Sequence, residues 1–394
     1  MTMLSDVEAL AGSIGPRGTG SPGEWTAAEY VAGRLTGMHW PVERFTCRAV
    51  ATQNAFPLSV DALALAAVAL YPVGGPAGRW IAAALALAAA PLLLYTIRSS
   101  TSPLRGFLPH VDSVSILARQ AGERTPRRRV VILAHLDTNR VRLAWQSNMR
   151  RALVPLTLLT LGVLAAIGIL YLWGALAAGP GWVWPASLLP AAYVLGTVVT
   201  LVREERGAYV PGANDNAASV AVALELASRL HAEPLVQTEA WLAFTGAEET
   251  DHAGLRSLLR RYGPELRQAD FIGLEGLGGG EIVYLARQGL LCHYRPHASL
   301  RTLADTVARR HPALGVGPAE MTVTDEVGTL RRAGYRAICI AGRDPSTGTL
   351  PHWHRLDDTV DSVEADALQT AADFVWAMLH ELDAEAEGSA CAPL

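Results

Sequence analysis

The sequence predicts an α/β protein: a three-layer sheet with helices on both faces, plus two inserted transmembrane helical hairpins. Three observations carry this expectation. β-Branched apolar runs end in polar residues, segments of helical period lie between them, and two long apolar blocks interrupt the pattern.

The chain has 394 residues, of which half are hydrophobic and only 18% charged. Mean hydropathy is positive, at +0.21. That balance leans towards a membrane protein, although the apolar residues are unevenly spread. The net charge of −4 gives no reason to expect a nucleic-acid partner. There is no lysine, so arginine carries all the side-chain positive charge apart from histidine. Cys47, Cys292, Cys339 and Cys391 lie far apart with no CxxC pair, which suits reduced thiols better than a disulfide framework. The N-terminus, "MTMLSDVEALAGSIGPRG", lacks the basic start and apolar core of a signal peptide.

In chain order, "GEWTAAEYVAGRLTGMHW" spaces Ala27, Tyr30, Val31 and Leu35 as a helix does. The first apolar block, "LSVDALALAAVALYPVGG" followed by "WIAAALALAAAPLLLYTI", reads as a hairpin with Asp61 near a membrane interface. "RRRVVILAHLDT" reads as a buried strand running into a functional loop. The second block has no charge from Ala152 to Val202, which is length for two spans of about 20 residues. Trp173, Trp182 and Trp184 cluster at its turn as interfacial anchors would. "NAASVAVALELASRLHA" is a helix, "TEAWLAFTGAEE" and "AGYRAICIAG" are strands, and "VEADALQTAADFVWAMLHELDAE" is a closing amphipathic helix. The resulting organisation is a soluble domain in three parts, 1–54, 99–149 and 204–394, with hairpins at 55–98 and 150–203.

Ligands in such sheets gather at the carboxyl ends of the strands. Five polar clusters fall there. They are "HLD" at His135–Asp137, "GANDNAAS" around Asp215, "GAEE" with Glu248 and Glu249, "GLEGLGGG" with Glu275, and "HWHRLDDT" with His352, His354 and Asp358. Carboxylate oxygens mixed with imidazole nitrogens suit zinc in a catalytic, incompletely filled sphere. Two such ions can share one bridging carboxylate.

The order and wording of these clusters resemble the M28 family of zinc aminopeptidases, with its HxD, GxND, GxEE, single-acid and HxxxDT elements. "GPRGTGSPGEWTAAEYVAGRL" also resembles that family's opening region. The resemblance covers almost everything outside the two apolar blocks, and implies a sheet of zinc-exopeptidase type. It further implies two zinc ions bridged by Asp215, with Glu249 and His354 completing one site and His135 and Glu275 the other. It assigns Glu248 as general base and Asp137 as the carboxylate that orients His135, with Asp358 supporting His354. The family usually has Asp where this chain has Glu275; Asp270 and Glu281 are the nearby alternatives. The HxxxDT spacing selects His354 over His352, and His293, His297 and His311 lie outside the motifs. Arg17 and Asp325 occupy family-like positions and are given structural roles. Glu281, Asp251 and Glu326 are open candidates for the substrate's α-ammonium.

The expectation is a membrane-embedded aminopeptidase acting on peptides. The alternatives are a zinc enzyme of glutaminyl-cyclase type, or a non-enzymatic membrane protein with a peptidase-like domain. Glutaminyl cyclases resemble a one-zinc version of the site, so a complete His135–Asp137 element counts against the first alternative. Each insertion is a hairpin, so the chain leaves a bilayer and returns on the same face. Arg98, Arg105, Arg150, Arg151, Arg203 and Arg206 flank the spans on that face, and Arg79 alone lies in the opposite turns, so the catalytic domain is expected in the cytoplasm. The link from Arg203 to Asp215 spans at most about 40 Å, which puts the site near the bilayer surface.

Overall fold

The structure is a computed structural model that describes residues 1–120, 126–143 and 150–388. Cys391 lies outside these residues, as does the segment 144–149 before the second apolar block. The strands are β1 (Val42–Val50), β2 (His110–Arg119), β3 (Arg128–His135), β4 (Thr238–Thr245), β5 (Asp270–Glu275), β6 (Glu281–Gln288), β7 (Gly317–Met321) and β8 (Arg336–Arg343). The helices run α1 (Met3–Val7), α2 (Pro22–Gly37), α3 (Ala55–Val73), α4 (Gly75–Ser99), α5 (Leu153–Leu176) and α6 (Val183–Glu205). They continue as α7 (Ser219–Ala232), α8 (Glu248–Asp251), α9 (Ala253–Leu266), α10 (Ala298–Arg310), α11 (Glu326–Arg332) and α12 (Ala365–Gly388).

The described residues divide into two compact units. One comprises Met1–Ala49, His110–Val141 and Tyr209–Leu394; the other comprises Val50–Pro109 and Arg142–Ala208. The first holds an eight-stranded mixed sheet in the order β1-β2-β4-β3-β5-β8-β6-β7. Its centre, β4-β3-β5-β8, is parallel, whereas β2 pairs antiparallel with β4 and β6 antiparallel with β8. Sequence reading identifies β3, β4 and β8 because strands covered on both faces are apolar throughout. It passes over β2, whose Ser113 and Ser115 interrupt the apolar run. Both hydroxyls are nonetheless satisfied inside, Ser113 donating to Glu24 and Ser115 accepting from the Gly246 N–H.

Alternation along β3 builds the two faces. Val130, Ile132 and Ala134 pack with residues of α2, α7 and α12 in one continuous core. Trp241 of β4 meets Tyr262 of α9 edge-on at 5.5 Å, and Phe271 of β5 meets Tyr335 likewise. Gly273 is bare because a Cβ there would strike Val327 of α11. Helices therefore cover both faces, as the sequence predicts.

Arg17 ties the opening segment to this sheet. It is fully buried, and its guanidinium donates to the carbonyls of Leu136, Leu10, Gly15, Pro211 and Gly212 at 2.8–2.9 Å. Burial brings its pKa down to about 10, with Asp358, Asp215 and Asp137 opposing the fall. Its role is structural, fixing the end of β3 and the chain at Pro211–Gly212.

The second unit contains α3, α4, α5 and α6, each long and apolar enough to cross a membrane, with window hydropathies of 1.7, 2.0, 2.4 and 1.7. Small residues, among them Ala64, Ala67, Ala82, Ala86 and Ala89, line their buried contacts and let backbones approach. Tyr71 stacks on Tyr171 at 4.3 Å, and the Tyr171 hydroxyl meets Ser187 Oγ at 2.7 Å. Trp184 donates from its indole to the Val68 carbonyl. Asp61 is buried within the unit and accepts from Thr197 at 2.7 Å. Large apolar side chains such as Ile81, Leu158, Ile169 and Leu189 point outward. The unit is thus apolar outside as well as inside.

Arg17→Met should leave several buried carbonyls without a donor. We expect a loss of at least about 3 kcal/mol, read as a lower midpoint of thermal unfolding. A midpoint unchanged from wild type contradicts the structural role. Arg17→Lys should recover little of the loss, because a point charge cannot reach five carbonyls.

Candidate metal centre

The site forms where the parallel strands end. His135 closes β3, Glu248 and Glu249 follow β4, Glu275 closes β5, and His354 lies in the loop after β8. Asp215 joins them from an irregular turn, Ala213–Ala218, that leads into α7. All of these residues are buried to at least nine-tenths.

Asp215 sits between two imidazoles. Its Oδ1 lies 3.2 Å from His135 Nε2 and its Oδ2 lies 3.3 Å from His354 Nε2. His135 Nε2 is also 3.6 Å from Glu275 Oε1, and His354 Nε2 is 3.1 Å from Glu249 Oε2. Two groups that could each hold a cation result, His135–Asp215–Glu275 and Asp215–Glu249–His354, with the ligand atoms of each within 4.8 Å of one another. A further grouping, His135–Glu248–Glu249, shares residues with both.

The donor set fits zinc on two observations. First, His135 Nδ1 lies 3.0 Å from the Asp137 carbonyl oxygen, which can only accept. The ring proton is therefore on Nδ1, and in the neutral ring Nε2 presents a lone pair to Asp215 and Glu275. His135 Nε2 and both Asp215 oxygens are buried without a hydrogen-bond partner among the described residues. Second, the pocket concentrates buried carboxylates. Burial and the neighbouring carboxylates push Glu275 up to about 8 and Glu248 well above the usual carboxylate range, and, against burial, the facing acids raise His135 well above the ordinary histidine value. Burial opposes a charge on His354, yet Glu249 and Asp215 raise its pKa to about 9. Such a cluster calls for cations.

The surrounding bonds explain how the sequence holds the ligands. Asn214 and Asn216 flank Asp215, whose peptide bond to Asn216 is cis. The Asn216 amide donates to the Leu274 carbonyl and accepts from the Gly276 N–H, bracketing Glu275. The Asn214 amide donates to the Pro351 carbonyl and accepts from Gly278 N–H, reaching the loop that carries His354. Gly212, at φ +66°, begins the turn, and a Cβ there would meet Thr138 and the Asp215 carbonyl. Ala247, His352 and His354 also adopt positive φ, each at a cost of about 1–2 kcal/mol, and so mark where the fold forces the site's backbone.

The expected roles gain detail. His135 Nδ1 lies 3.0 Å from the Asp137 carbonyl oxygen and 3.6 Å from its carboxylate Oδ1, so both sides of Asp137 face that nitrogen. The carboxylate also accepts the backbone N–H groups of Glu248 and Glu249 at 3.0 and 3.2 Å and the Thr19 hydroxyl at 2.7 Å. Asp358 receives the N–H groups of Asn214 and Asp215, so it supports the turn of Asp215. Glu248 and Glu249 lie in the one-turn helix α8, not on an extended stretch, because Ala247 turns the chain as β4 ends.

The remaining candidates sort by position. His352 faces Asp357 at 3.1 Å and is absent from the cation groups, so His354 is the histidine brought into the site. His293 and His311 are exposed, and His297 faces Ser299. Asp270 begins β5, at the strand end opposite Glu275, and pairs with Arg128 and Arg336. Glu281 is exposed and paired with Arg343. Asp251 is fully buried. Glu326 lines a small cavity with His135, Glu275 and Asp325, and accepts from Thr245. Sequence reading missed Asn139, whose amide donates to Glu249 Oε2 at 2.8 Å, and His252, 3.3 Å from Glu248. The polar residue closing "HLDTN" was the available signal for Asn139.

The family model for peptidase family M28 matches residues 197–379. That span contains Asp215, Glu248, Glu249, Glu275 and His354, while His135 lies outside it. Among solved structures, the chain is similar to a glutaminyl cyclase from Bacteroides thetaiotaomicron, solved with N-acetylhistamine, at 16% identity and a TM-score of 0.57 over 96% of both chains. It is similar to a leucine aminopeptidase precursor from the same organism at 15% identity and a TM-score of 0.55, again over 96% of both. A zinc aminopeptidase from Bacillus subtilis matches at 15% identity and a TM-score of 0.56, over 96% of this chain and 94% of that one. At these identities the likeness concerns the fold. No curated protein matches the chain.

Asn216→Ala should remove both bonds that bracket Glu275. Outer-shell partners of this kind typically contribute about 10–100-fold in metal affinity. We expect zinc to be lost to a chelator at least about tenfold faster than from wild type. Unchanged release would mean that the turn does not hold the ligands.

Proposed function

We propose that this chain, a member of peptidase family M28 by the match over residues 197–379, is a membrane-embedded di-zinc metallopeptidase that removes N-terminal residues from peptides. The observation that supports the two-ion form is the placement of Asp215, with one oxygen towards His135 and the other towards His354. Bound zinc would supply Lewis acidity, polarising the scissile carbonyl and making an attacking water more acidic. His135, Asp215 and Glu275 would hold one ion, and Asp215, Glu249 and His354 the other. Glu248 then takes the proton of the attacking water at a carboxylate oxygen and returns it to the leaving amine. Asp137 fixes the backbone of Glu248 and Glu249, and Asn139 fixes the Glu249 carboxylate, so neighbouring acids keep separate tasks.

A glutaminyl-cyclase-type reaction is the second reading, favoured by a structural likeness to such an enzyme as strong as that to the aminopeptidases. Products separate the two. A peptide beginning with glutamine yields free glutamine and a shortened peptide in one case, and ammonia with a ring-closed N-terminus in the other.

General acid–base assistance typically contributes about 10²–10⁴-fold. Glu248→Gln should keep its zinc and fold but lose at least about two orders of magnitude in turnover. Asp215→Ala should lose zinc and activity together, and Glu275→Ala should retain about one zinc of two. Turnover of Glu248→Gln within a few-fold of wild type contradicts the mechanism. Zinc binding with no reaction on any peptide favours the non-enzymatic reading.

We also propose that α3–α4 and α5–α6 cross a bilayer as hairpins, with the catalytic unit on the cytoplasmic side, supported by the flanking arginines. Every cysteine lies outside the hairpins, and Cys292 is partly exposed. A membrane-impermeant maleimide should label Cys292 only after cell lysis. Labelling in intact cells would reverse the orientation.

A further inference from the structure

His252 lies one residue beyond α8, the helix that begins with Glu248. It has a positive φ of 51° and is only 5% exposed. Its ring touches two groups. Nε2 stands 3.3 Å from Glu248 Oε1, and Nδ1 stands 2.9 Å from the hydroxyl of Thr329 in α11.

The direction of the hydrogen bonds is set from the two ends of the row. Arg332 donates from Nη2 to Thr329 Oγ1 at 2.8 Å, and a guanidinium can only donate. The Thr329 hydroxyl keeps one hydrogen and one lone pair for His252 Nδ1, and a Glu248 that acts as base can only accept at Oε1, which selects the arrangement with the hydroxyl hydrogen on Nδ1. The imidazole proton is then on Nε2, facing Glu248. Burial, together with Arg256 and Arg332, holds His252 well below the ordinary histidine value, so the ring is neutral. The result is one line of donors from Arg332 through Thr329 and His252 to Glu248. The second Glu248 oxygen, Oε2, is the one turned towards His135, at 3.9 Å.

We propose that His252, oriented by Thr329 and Arg332, is a positioning residue that anchors one oxygen of Glu248 and leaves the other to exchange the proton. This rests on the reading of Glu248 as general base. A donor at Oε1 holds that oxygen in place. It also sets Glu248 apart from Glu249, whose oxygens face Asn139 and His354. Three acids, Glu248, Glu249 and Glu275, share this pocket, and the histidine gives one of them an orientation suited to proton transfer.

The test uses the full-length protein in detergent or lipid. His252→Leu should keep its zinc and a KM within about threefold of wild type, while kcat falls about tenfold or more, as for loss of a hydrogen bond to a charged group. His252→Gln, which can still present an N–H, should recover most of the loss. A His252→Leu kcat within twofold of wild type overturns the proposal, as does a loss that follows zinc content. Glu248→Gln is measured alongside. If it collapses while His252→Leu does not, the positioning role alone fails; if neither matters, the base assignment fails with it. Nitrogen NMR of histidine-labelled protein, assigned with His252→Gln, reads the arrangement without turnover. The proposal requires a neutral ring protonated on Nε2, and a ring protonated on Nδ1 overturns it.

Discussion

Asp215 is the residue on which the site depends, because its carboxylate needs positive charge at both oxygens. Both oxygens are buried, both face imidazole nitrogens, and the backbone beneath them is committed to Asp358. An isolated buried carboxylate is strongly unfavourable, so the arrangement has to carry compensating positive charge. The two histidines can provide it as protons, or yield their lone pairs to metal ions. Everything nearby is organised so that the second option is available. The residues either side of Asp215 hold the segments bearing Glu275 and His354, and the Asp137 carbonyl holds the proton of His135 away from the centre.

The rest of the fold makes this concentration of charge affordable. A parallel centre buried on both faces delivers His135, Glu248, Glu249 and Glu275 to the carboxyl ends of its strands, and the large core offsets the strain at Ala247 and His354. The apolar helical unit is built on other rules. It packs through alanines and a few polar pairs, and presents leucine and isoleucine outward.

Much of this was legible in the sequence, for identifiable reasons. β3, β4 and β8 announced themselves as continuous apolar runs, and the ligand types stood where those runs stopped. β1 and β2 did not, since their exposed or polar positions break the pattern. β5 is six residues long with a glycine, too short to separate from its surroundings. The candidate ligands were visible as residue types in the polar clusters, but their support was not. Whether Asp358 faces His354 or the Asp215 backbone depends on how a loop 144 residues away folds back. His252 acquires a role only through Thr329 of α11, 77 positions further along the chain, which no local motif records.

The central claim is that Asp215 is shared by two cations and that Glu248 binds neither. Diffraction recorded above and below the zinc absorption edge tests it most directly. The account predicts two anomalous peaks, one beside His135 and Glu275 and one beside Glu249 and His354, each within bonding distance of a different Asp215 oxygen. A single peak, or a peak coordinated by Glu248, would contradict it.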